Sequence, residues 1–382
     1  MTSTLMDLSS NTFDGEYREP IAPARLARIP KAYTTRFVAK SIEQDASGYH
    51  LVSGPQIKPQ AGDVVIARVL EIGKHTRLES PVSRRQLLFP GQEIMVAYGN
   101  RYAPDQFLAF VPESLEPCHL IAAGGIAGEV KEMHASIDAA TSIEPIGLLE
   151  DEHGIVNLSR FAPLSVDAPS VAAANAVGSA RPRVIAVMGT SMNSGKSTTL
   201  GCLVNGLTNA GLNVAAGKST GTGAGNDPNL FHDAGATRVV DFTDFGYPTT
   251  FLLDYETVRG LLSSMIQELS AAVDGTAPDV VVIEIADGVY QGETSRLLAD
   301  PVYASLVDTT LFSAADALGA VAGLDVLQRS NVNVAAVSGL VTASPLASAE
   351  AQGVLPVPLV GTYDLCDADV AMGILDSLAE RS

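Results

Sequence analysis

The stretch Val184-Ile-Ala-Val-Met-Gly-Thr-Ser-Met-Asn-Ser-Gly-Lys-Ser-Thr-Thr199 constrains the fold of this chain more than any other. An apolar run ends in a loop of small residues. Gly195-Lys196-Ser197-Thr198 follows, and an amphipathic run opens at Leu200. This order predicts strand, loop and helix. In such a unit the loop amides and the helix N-terminus point at one anion, the Lys adds a full charge, and a hydroxyl is placed to hold Mg²⁺. The expected phosphate contacts are Gly189, Thr190, Asn193, Ser194, Gly195, Lys196, Ser197 and Thr198. Five residues, rather than the usual four, separate Gly189 from Gly195, and Thr190 takes a position usually held by Gly.

The rest of the second half extends this pattern. Val184–Met188, Leu212–Ala216, Val280–Ile285, Thr309–Ser313, Val332–Val341 and Val354–Val360 read as strands. Helices are expected over Ser197–Ala210, Thr250–Ala272, Asp316–Gln328 and Asp367–Leu378. On the first of these, Leu200, Leu203, Val204 and Leu207 share one face, and Gly211 stops it. Near-continuous apolar strands alternating with helices predict a parallel sheet covered on both faces, an α/β P-loop domain over 183–382. Ligands of such sheets sit outside the strands' carboxyl ends.

The first half has a different texture. Residues 1–33 are polar and proline-punctuated and read as an extended arm. From 34 to 160 the signal is β, a small barrel or sandwich of short strands broken by Gly and Pro. Thr35–Ile42 is expected as its first strand. The run beginning Ala61-Gly-Asp-Val-Val-Ile is similar to the opening strand of an OB- or S1-like barrel. Residues 161–182 shift towards small residues and read as a linker. Cys118-His119 with His75 and His134 matches no standard zinc spacing. Arg84-Arg85 and Arg101-Tyr102 are candidates for a ligand surface, or simply solvated loop charges.

Composition excludes several classes. Net charge is −19; 15 Lys/Arg against 21 Asp/Glu through Asp167 leave −6, and 9 against 22 beyond it leave −13. Neither half carries the basic footprint of a sequence-independent nucleic-acid binder, so a small-molecule substrate is expected instead. No apolar run approaches the ~20 residues that span a bilayer. The start lacks the pattern of a signal peptide, and three scattered cysteines do not suggest a disulfide framework, so a cytoplasmic protein is expected. Only two Lys lie beyond Asp167, Lys196 and Lys218, both beside Gly-rich loops.

Three loops therefore carry the candidate chemistry. The first is the phosphate loop. The second is Gly217-Lys-Ser-Thr-Gly-Thr-Gly223, where Lys218, Thr220 and Gly221 are placed for a phosphate or a substrate carboxylate. The third is Glu284-Ile-Ala-Asp-Gly-Val-Tyr-Gln-Gly-Glu-Thr294. A carboxylate near the end of a buried strand is costly unless paired or metal-bound, which marks Glu284. Asp287, Gln291 and Glu293 follow it and either orient a substrate or cap the next helix. Asp241 and Asp244 are left open between Mg²⁺ ligands and turn caps. The catalytic set is thus Lys196, Lys218, Glu284 and Asp287. The metal set is Ser197, Glu284, Asp241 and Asp244, and the substrate set is Lys218, Thr220, Gly221, Gln291 and Glu293.

Two family resemblances attach to these residues. Gly189-Thr-Ser-Met-Asn-Ser-Gly-Lys-Ser197 resembles the P-loop of dethiobiotin synthetase and its relatives, which share the five-residue spacing. Lys218-Ser-Thr-Gly221 is similar to that family's second-strand K-P-x-x-[TS]-G, with Ser219 for Pro and one residue fewer. Glu284-Ile-Ala-Asp-Gly288 is similar to its E-G-A-G-G. The resemblance implies a Lys that helps hold the substrate and a Glu that serves Mg²⁺. Residues 183–382 also resemble the C-terminal domain of the DgcN-like family, through Lys218-Ser-Thr-Gly-Thr-Gly223, Asp233-Ala-Gly-Ala236, Asp241-Phe-Thr-Asp-Phe-Gly-Tyr-Pro-Thr-Thr250 and Glu284–Thr294. That resemblance implies D-glutamate N-acetylation and a homodimer. It departs at the front, where that family has an α/β domain. The expectation is an enzyme using ATP and Mg²⁺ on a small carboxylate-bearing molecule by phosphoryl transfer or ligation. A CoA-dependent acyltransferase using acetyl-CoA and a nucleotide-switched regulator with a partner-binding β domain are the alternatives. The absence of an N-K-x-D guanine signature favours adenine.

Overall fold

The computed structural model describes residues 15–167 and 181–379. The chain divides into two units. One is Met1–Pro163 with the short stretches Thr222–Ala224 and Gly246–Pro248; the other comprises the remainder.

The second unit is α/β. Its strands are short apolar runs, buried throughout except for Arg183 at the start of one and the first two residues of Arg238–Asp241. They form one six-stranded sheet. Across it the order is Arg238–Asp241, Val214–Thr220, Val280–Ile285, Arg183–Gly189, Thr309–Ser313, Val334–Ser338. All pairs are parallel, as expected where helices return the chain between strands. Side chains alternate between the sheet's faces. Ile185, Val187, Val214, Ala216, Val280 and Val282 pack with Leu200, Leu203, Val204 and Leu207 of the helix Lys196–Asn209. On the opposite face, Gly217 lies directly against Met265 and Leu269 of the helix Tyr255–Ser270. The sheet is therefore covered on both sides.

The helix Tyr255–Ser270 starts later than the expected Thr250, because Asp254 caps it by accepting from the Thr257 amide. The last expected strand, Val354–Val360, is not one. Only a single bridge, Val337 with Leu359, joins it to the sheet. Pro356 and Pro358 lack the amide a ladder needs. The helix expected to start near Glu293 is Gly292–Leu298; the helices Asn226–Asp233, Pro301–Leu306 and Pro345–Gln352 were not anticipated as elements.

The first unit is β-rich. Thr141–Asp151 pairs antiparallel with Val64–Glu71, which pairs with Glu93–Tyr98. That strand pairs parallel with Ile126–Met133, which pairs with Cys118–Ala122, which returns to Thr141–Asp151. The pairing circuit thus closes on itself. Two expectations fail here. Thr35–Ile42, read as a strand from its β-branched start, lies in the helix Arg36–Gln44; Val38, Ala39 and Ile42 are buried on one helical face. The arm expected over 1–33 is ordered from Tyr17: Tyr17–Pro20 pairs with His50–Ser53, and Pro23–Arg28 is a helix burying Leu26. Residues 1–14 and 168–180 of the expected arm and linker lie outside the described residues. Arg101, a candidate ligand residue, is 6% exposed, donates to Gln106, and lies 3.2 Å from His75 Nε2. It belongs to the core.

Candidate functional site

Three neighbouring strands of the parallel sheet end in the three loops singled out above, and their order explains why the loops meet. The strand Arg183–Gly189 leads into residues 190–195, and the helix begins at Lys196. Gly189 has no room for a side chain, since a Cβ there would collide with the Ser194 hydroxyl and crowd the Ser313 carbonyl and Lys196. The loop turns through two residues of positive φ, Asn193 at 62° and Gly195 at 97°. Asn and Gly tolerate that region best. The first amides of the helix have no acceptor within it. Thr190 Oγ1 and Ser194 Oγ are buried without a hydrogen-bond partner among the described residues. Two orphaned hydroxyls in an amide-lined loop fit an anion that would accept from them.

Lys196 is 6% exposed, and its Nζ donates to the Ser191 carbonyl at 2.8 Å. Burial pulls its pKa below the usual lysine value, with Glu284 and Asp287 opposing that pull.

Lys218 comes from the next strand but one. Its register partners are Glu284 on one side and Asp241 on the other. Val214 and Ala216 face the phosphate-loop helix, as do Val280 and Val282. The period of two puts Lys218 and Glu284 on that same face. Lys218 Nζ lies 3.4 Å from Glu284 Oε1 and donates to Asp227 Oδ2. Burial acts to lower the Lys218 pKa, but Glu284 and Asp227 outweigh it and raise it. Burial acts to raise the Asp227 pKa; Lys218 and a hydrogen bond with Ser197 carry it below the usual carboxylate range.

Asp227 thus joins the helix-start hydroxyl Ser197 to Lys218. Sequence reasoning missed it, because the residues around it read as a Gly-rich loop. The signal was its place in the first turn of the helix Asn226–Asp233, which also went unread. Asp287 completes the cluster. Burial raises its pKa, and Lys196 and Lys218 oppose the rise. The 286–288 turn lies against the phosphate loop closely enough that a Cβ on Gly288 would collide with the Thr190 carbonyl.

Other predicted residues have local work. Thr220 Oγ1 donates to the Ala286 carbonyl at 2.7 Å, tying the second loop to the third. The Gly221 amide donates to Thr250 Oγ1 at 2.8 Å. Gln291 caps the helix Gly292–Leu298 by accepting from the Thr294 amide, and it donates to Glu293. Glu293 accepts from the Leu252 amide at 2.9 Å. Asp241 accepts from the Thr243 amide at 2.7 Å, and Asp244 from the Asp241 amide at 2.8 Å. These contacts lie within their own turns or reach a neighbouring one; Asp241 also faces Lys218 across the sheet and helps to raise its pKa.

For Mg²⁺, the oxygens that meet the phosphate loop are those of Ser197, Asp227 and Glu284. Glu284 Oε2 is buried without a hydrogen-bond partner among the described residues. No group of three His, Cys, Asp or Glu side chains among the described residues makes a metal site by itself.

Beside the loop lies a cavity of about 280 Å³ lined by Gly195, Thr198, Leu340, Thr362, Tyr363 and Asp364. A larger cavity of about 680 Å³, in the first unit among Ser41, Asp45, Tyr49, Asp151, His153 and Arg160, contains none of the predicted site residues.

No family profile matches the chain, and no curated protein matches it. Solved structures similar to it include the signal recognition particle receptor FtsY from Elizabethkingia anophelis, at 19% identity over 55% of this chain and 68% of that one, with a TM-score of 0.32. Chloroplast FtsY from Physcomitrella patens matches at 19% identity over 58% and 70%, TM-score 0.34. The Elizabethkingia protein in complex with GDP matches at 17% over 58% and 69%, TM-score 0.31. Likeness this slight says nothing about this chain's activity. No helix among the described residues is long and apolar enough to cross a membrane.

Proposed function

We propose that this chain is a P-loop enzyme that binds a nucleoside triphosphate with Mg²⁺, ATP by preference, and drives phosphoryl transfer or ligation on a small acceptor. One observation carries the reading. Lys196 and Lys218 converge with Asp227, Glu284 and Asp287 at the carboxyl ends of neighbouring parallel strands, where α/β sheets bind their ligands. Phosphoryl transfer needs positioning and charge neutralisation more than covalent chemistry, and this set supplies both.

In this reading the loop amides, Thr190, Ser194 and Lys196 hold the β- and γ-phosphates. Ser197, Asp227 and Glu284 hold Mg²⁺, which neutralises phosphate charge when bound. With both carboxylates committed to the metal, Lys218 has a charge to offer an acceptor carboxylate. Where the attacking group is a hydroxyl or amine, Asp287, kept basic by burial, takes its proton. The cavity beside Gly195 and Thr198 takes the base. The five-residue loop spacing and the Glu284–Gly288 turn support placement near the dethiobiotin synthetase-like branch. The DgcN-like resemblance supplies the competing reading, a loop that cradles the phosphates of acetyl-CoA and hydrolyses nothing. The closed pairing circuit of the first unit supports its reading as a barrel.

Calorimetric titration with ATP·Mg²⁺, GTP·Mg²⁺ and acetyl-CoA tests this. Binding of ATP·Mg²⁺ that Lys196→Ala abolishes is the expected result. Binding of acetyl-CoA alone would sink the phosphoryl-transfer reading.

A further inference from the structure

The helix that starts at the phosphate loop has a second interface. Thr198, Cys202 and Gly206 recur at intervals of four and share one helical face. Thr198 lines the cavity beside the loop. Gly206 lies so close to the turn Tyr363–Cys366 that a Cβ would collide with the Leu365 carbonyl oxygen. Asn209, at the helix end, donates to the Cys366 carbonyl at 3.1 Å. Between these contacts Cys366 packs against the apolar cluster that contains Cys202, and each thiol lies in the other's electrostatic surroundings. Both are free thiols, Cys202 buried and Cys366 half-buried. Neither takes part in the chemistry above. Thr362, Tyr363 and Asp364 wall the cavity opposite Thr198.

We propose that Cys202 and Cys366 are a thiol-modification site, a pair that closes into a reversible disulfide and staples the phosphate-loop helix to the cavity's far wall. Burial, and then the contact with Cys366, pushes the Cys202 thiol up to about 12, so it stays protonated near neutrality. Cys366 is the more exposed and meets a small-molecule disulfide first. Its sulfur, having lost its proton, attacks that disulfide, forms a mixed disulfide and expels one thiolate. Cys202 then gives up its proton to solvent, and its thiolate attacks the Cys366 sulfur and expels the second thiolate, the slower step because burial holds the Cys202 thiol protonated. The two cysteines lose two electrons and two protons, and the small disulfide becomes two thiols. The staple joins residues far apart in sequence, so it restricts the unfolded chain strongly. It also ties the turn Tyr363–Cys366, which walls the cavity, covalently to the helix that carries Thr198. The consequence for nucleotide exchange rests on the phosphate-loop reading; the disulfide itself does not.

The test uses the full-length chain treated with glutathione disulfide, with non-reducing proteolysis and mass spectrometry as the first readout. Release of a fluorescent ATP analogue, before and after treatment, is the second. We expect one linked peptide joining Cys202 to Cys366, reversed by dithiothreitol. Cys118→Ser should keep it, and Cys202→Ser or Cys366→Ser should lose it. Analogue release should slow about tenfold in the linked form, within the usual range of coupling between sites. A stable glutathione adduct on Cys366, or no reaction while both thiols remain titratable in unfolded protein, overturns the site. Linkage with unchanged release overturns the staple's effect on the cavity. A chain that links but binds no analogue in either state counts against the nucleotide reading alone.

Discussion

Lys218→Met removes the cation shared by a buried carboxylate, Glu284, and a half-buried one, Asp227. Glu284 is 2% exposed, and its Oε1 lies 3.4 Å from the Lys218 ammonium. At that distance the gross attraction is roughly 5 kcal/mol for an effective dielectric near 20. Removing one partner of a buried pair costs about 3–5 kcal/mol, chiefly by leaving a charge uncompensated. The Asp227 side chain is 23% exposed, and water recovers part of that cost. A loss of about 3–4 kcal/mol follows, which for a unit of this size lowers Tm by roughly 6–16 °C.

The pH dependence is more diagnostic than the size. In the native protein Asp227 is depressed, so its contribution is present above the ordinary carboxylate value and fades only as pH falls through the lower one. Lys218 is raised, so its contribution is complete below the ordinary lysine value and is lost as pH rises through the higher one. Between about pH 5 and pH 9 the pair therefore gives a flat profile. Without Lys218, Asp227 loses the contacts that do most to depress its pKa while the burial that raises it remains, so the variant's penalty is largest at pH 8 and shrinks towards pH 5. Differential scanning calorimetry on both proteins at these two pH values measures it. A loss below about 1 kcal/mol, the size of a surface pair, or an equal penalty at both pH values would refute the reasoning.

Lys196→Ala should abolish ATP·Mg²⁺ binding in calorimetry while retaining the far-ultraviolet circular dichroism of the parent. Asp287→Asn should lower turnover about 100-fold or more, the usual worth of a general base. In the parent, activity should fall with decreasing pH at a value above that of an ordinary carboxylate, because Asp287 must be ionised to accept a proton and its pKa is raised; the pH–rate profile of the variant should lack that limb. Gly206→Leu should destabilise by about 1–3 kcal/mol in urea unfolding, as expected for overpacking, because its side chain must displace the turn at Leu365.

Much of the second unit was legible because its signals are local. The alternation of Val280–Ile285 with helical stretches announces a parallel sheet, and Leu200, Leu203, Val204 and Leu207 show which face of their helix is buried. Lys196, Lys218 and Glu284 stood out as charges set in apolar or glycine-rich surroundings. What stayed hidden depends on pairing in space. Asp227 acquires its place only because the chain folds back nine residues after Lys218 and turns an acidic helix start towards it. Gln291, Glu293, Asp241 and Asp244 have the residue types of ligands, yet their oxygens accept from amides nearby. Thr35–Ile42 was misread because the helical spacing of Val38, Ala39 and Ile42 shows only once that face is known to be buried. Cys202 and Cys366 were counted as scattered thiols, since sequence distance says nothing about a helix packing on a distant turn.

The proline-containing segment 354–360, which follows the helix Pro345–Gln352, has a role beyond ending the sheet. Val334–Ser338 is the sheet's final strand, and its outer side is where a strand from another molecule would add. Val337 instead donates to the Pro358 carbonyl at 2.9 Å and accepts from the Val360 amide at 2.9 Å. The segment thus occupies the hydrogen-bonding groups at mid-strand, while Pro356 and Pro358 leave it unable to propagate a ladder outward. An apolar parallel sheet with an open edge is a template for aggregation. Here the chain closes that edge with a stretch that cannot serve as the next template.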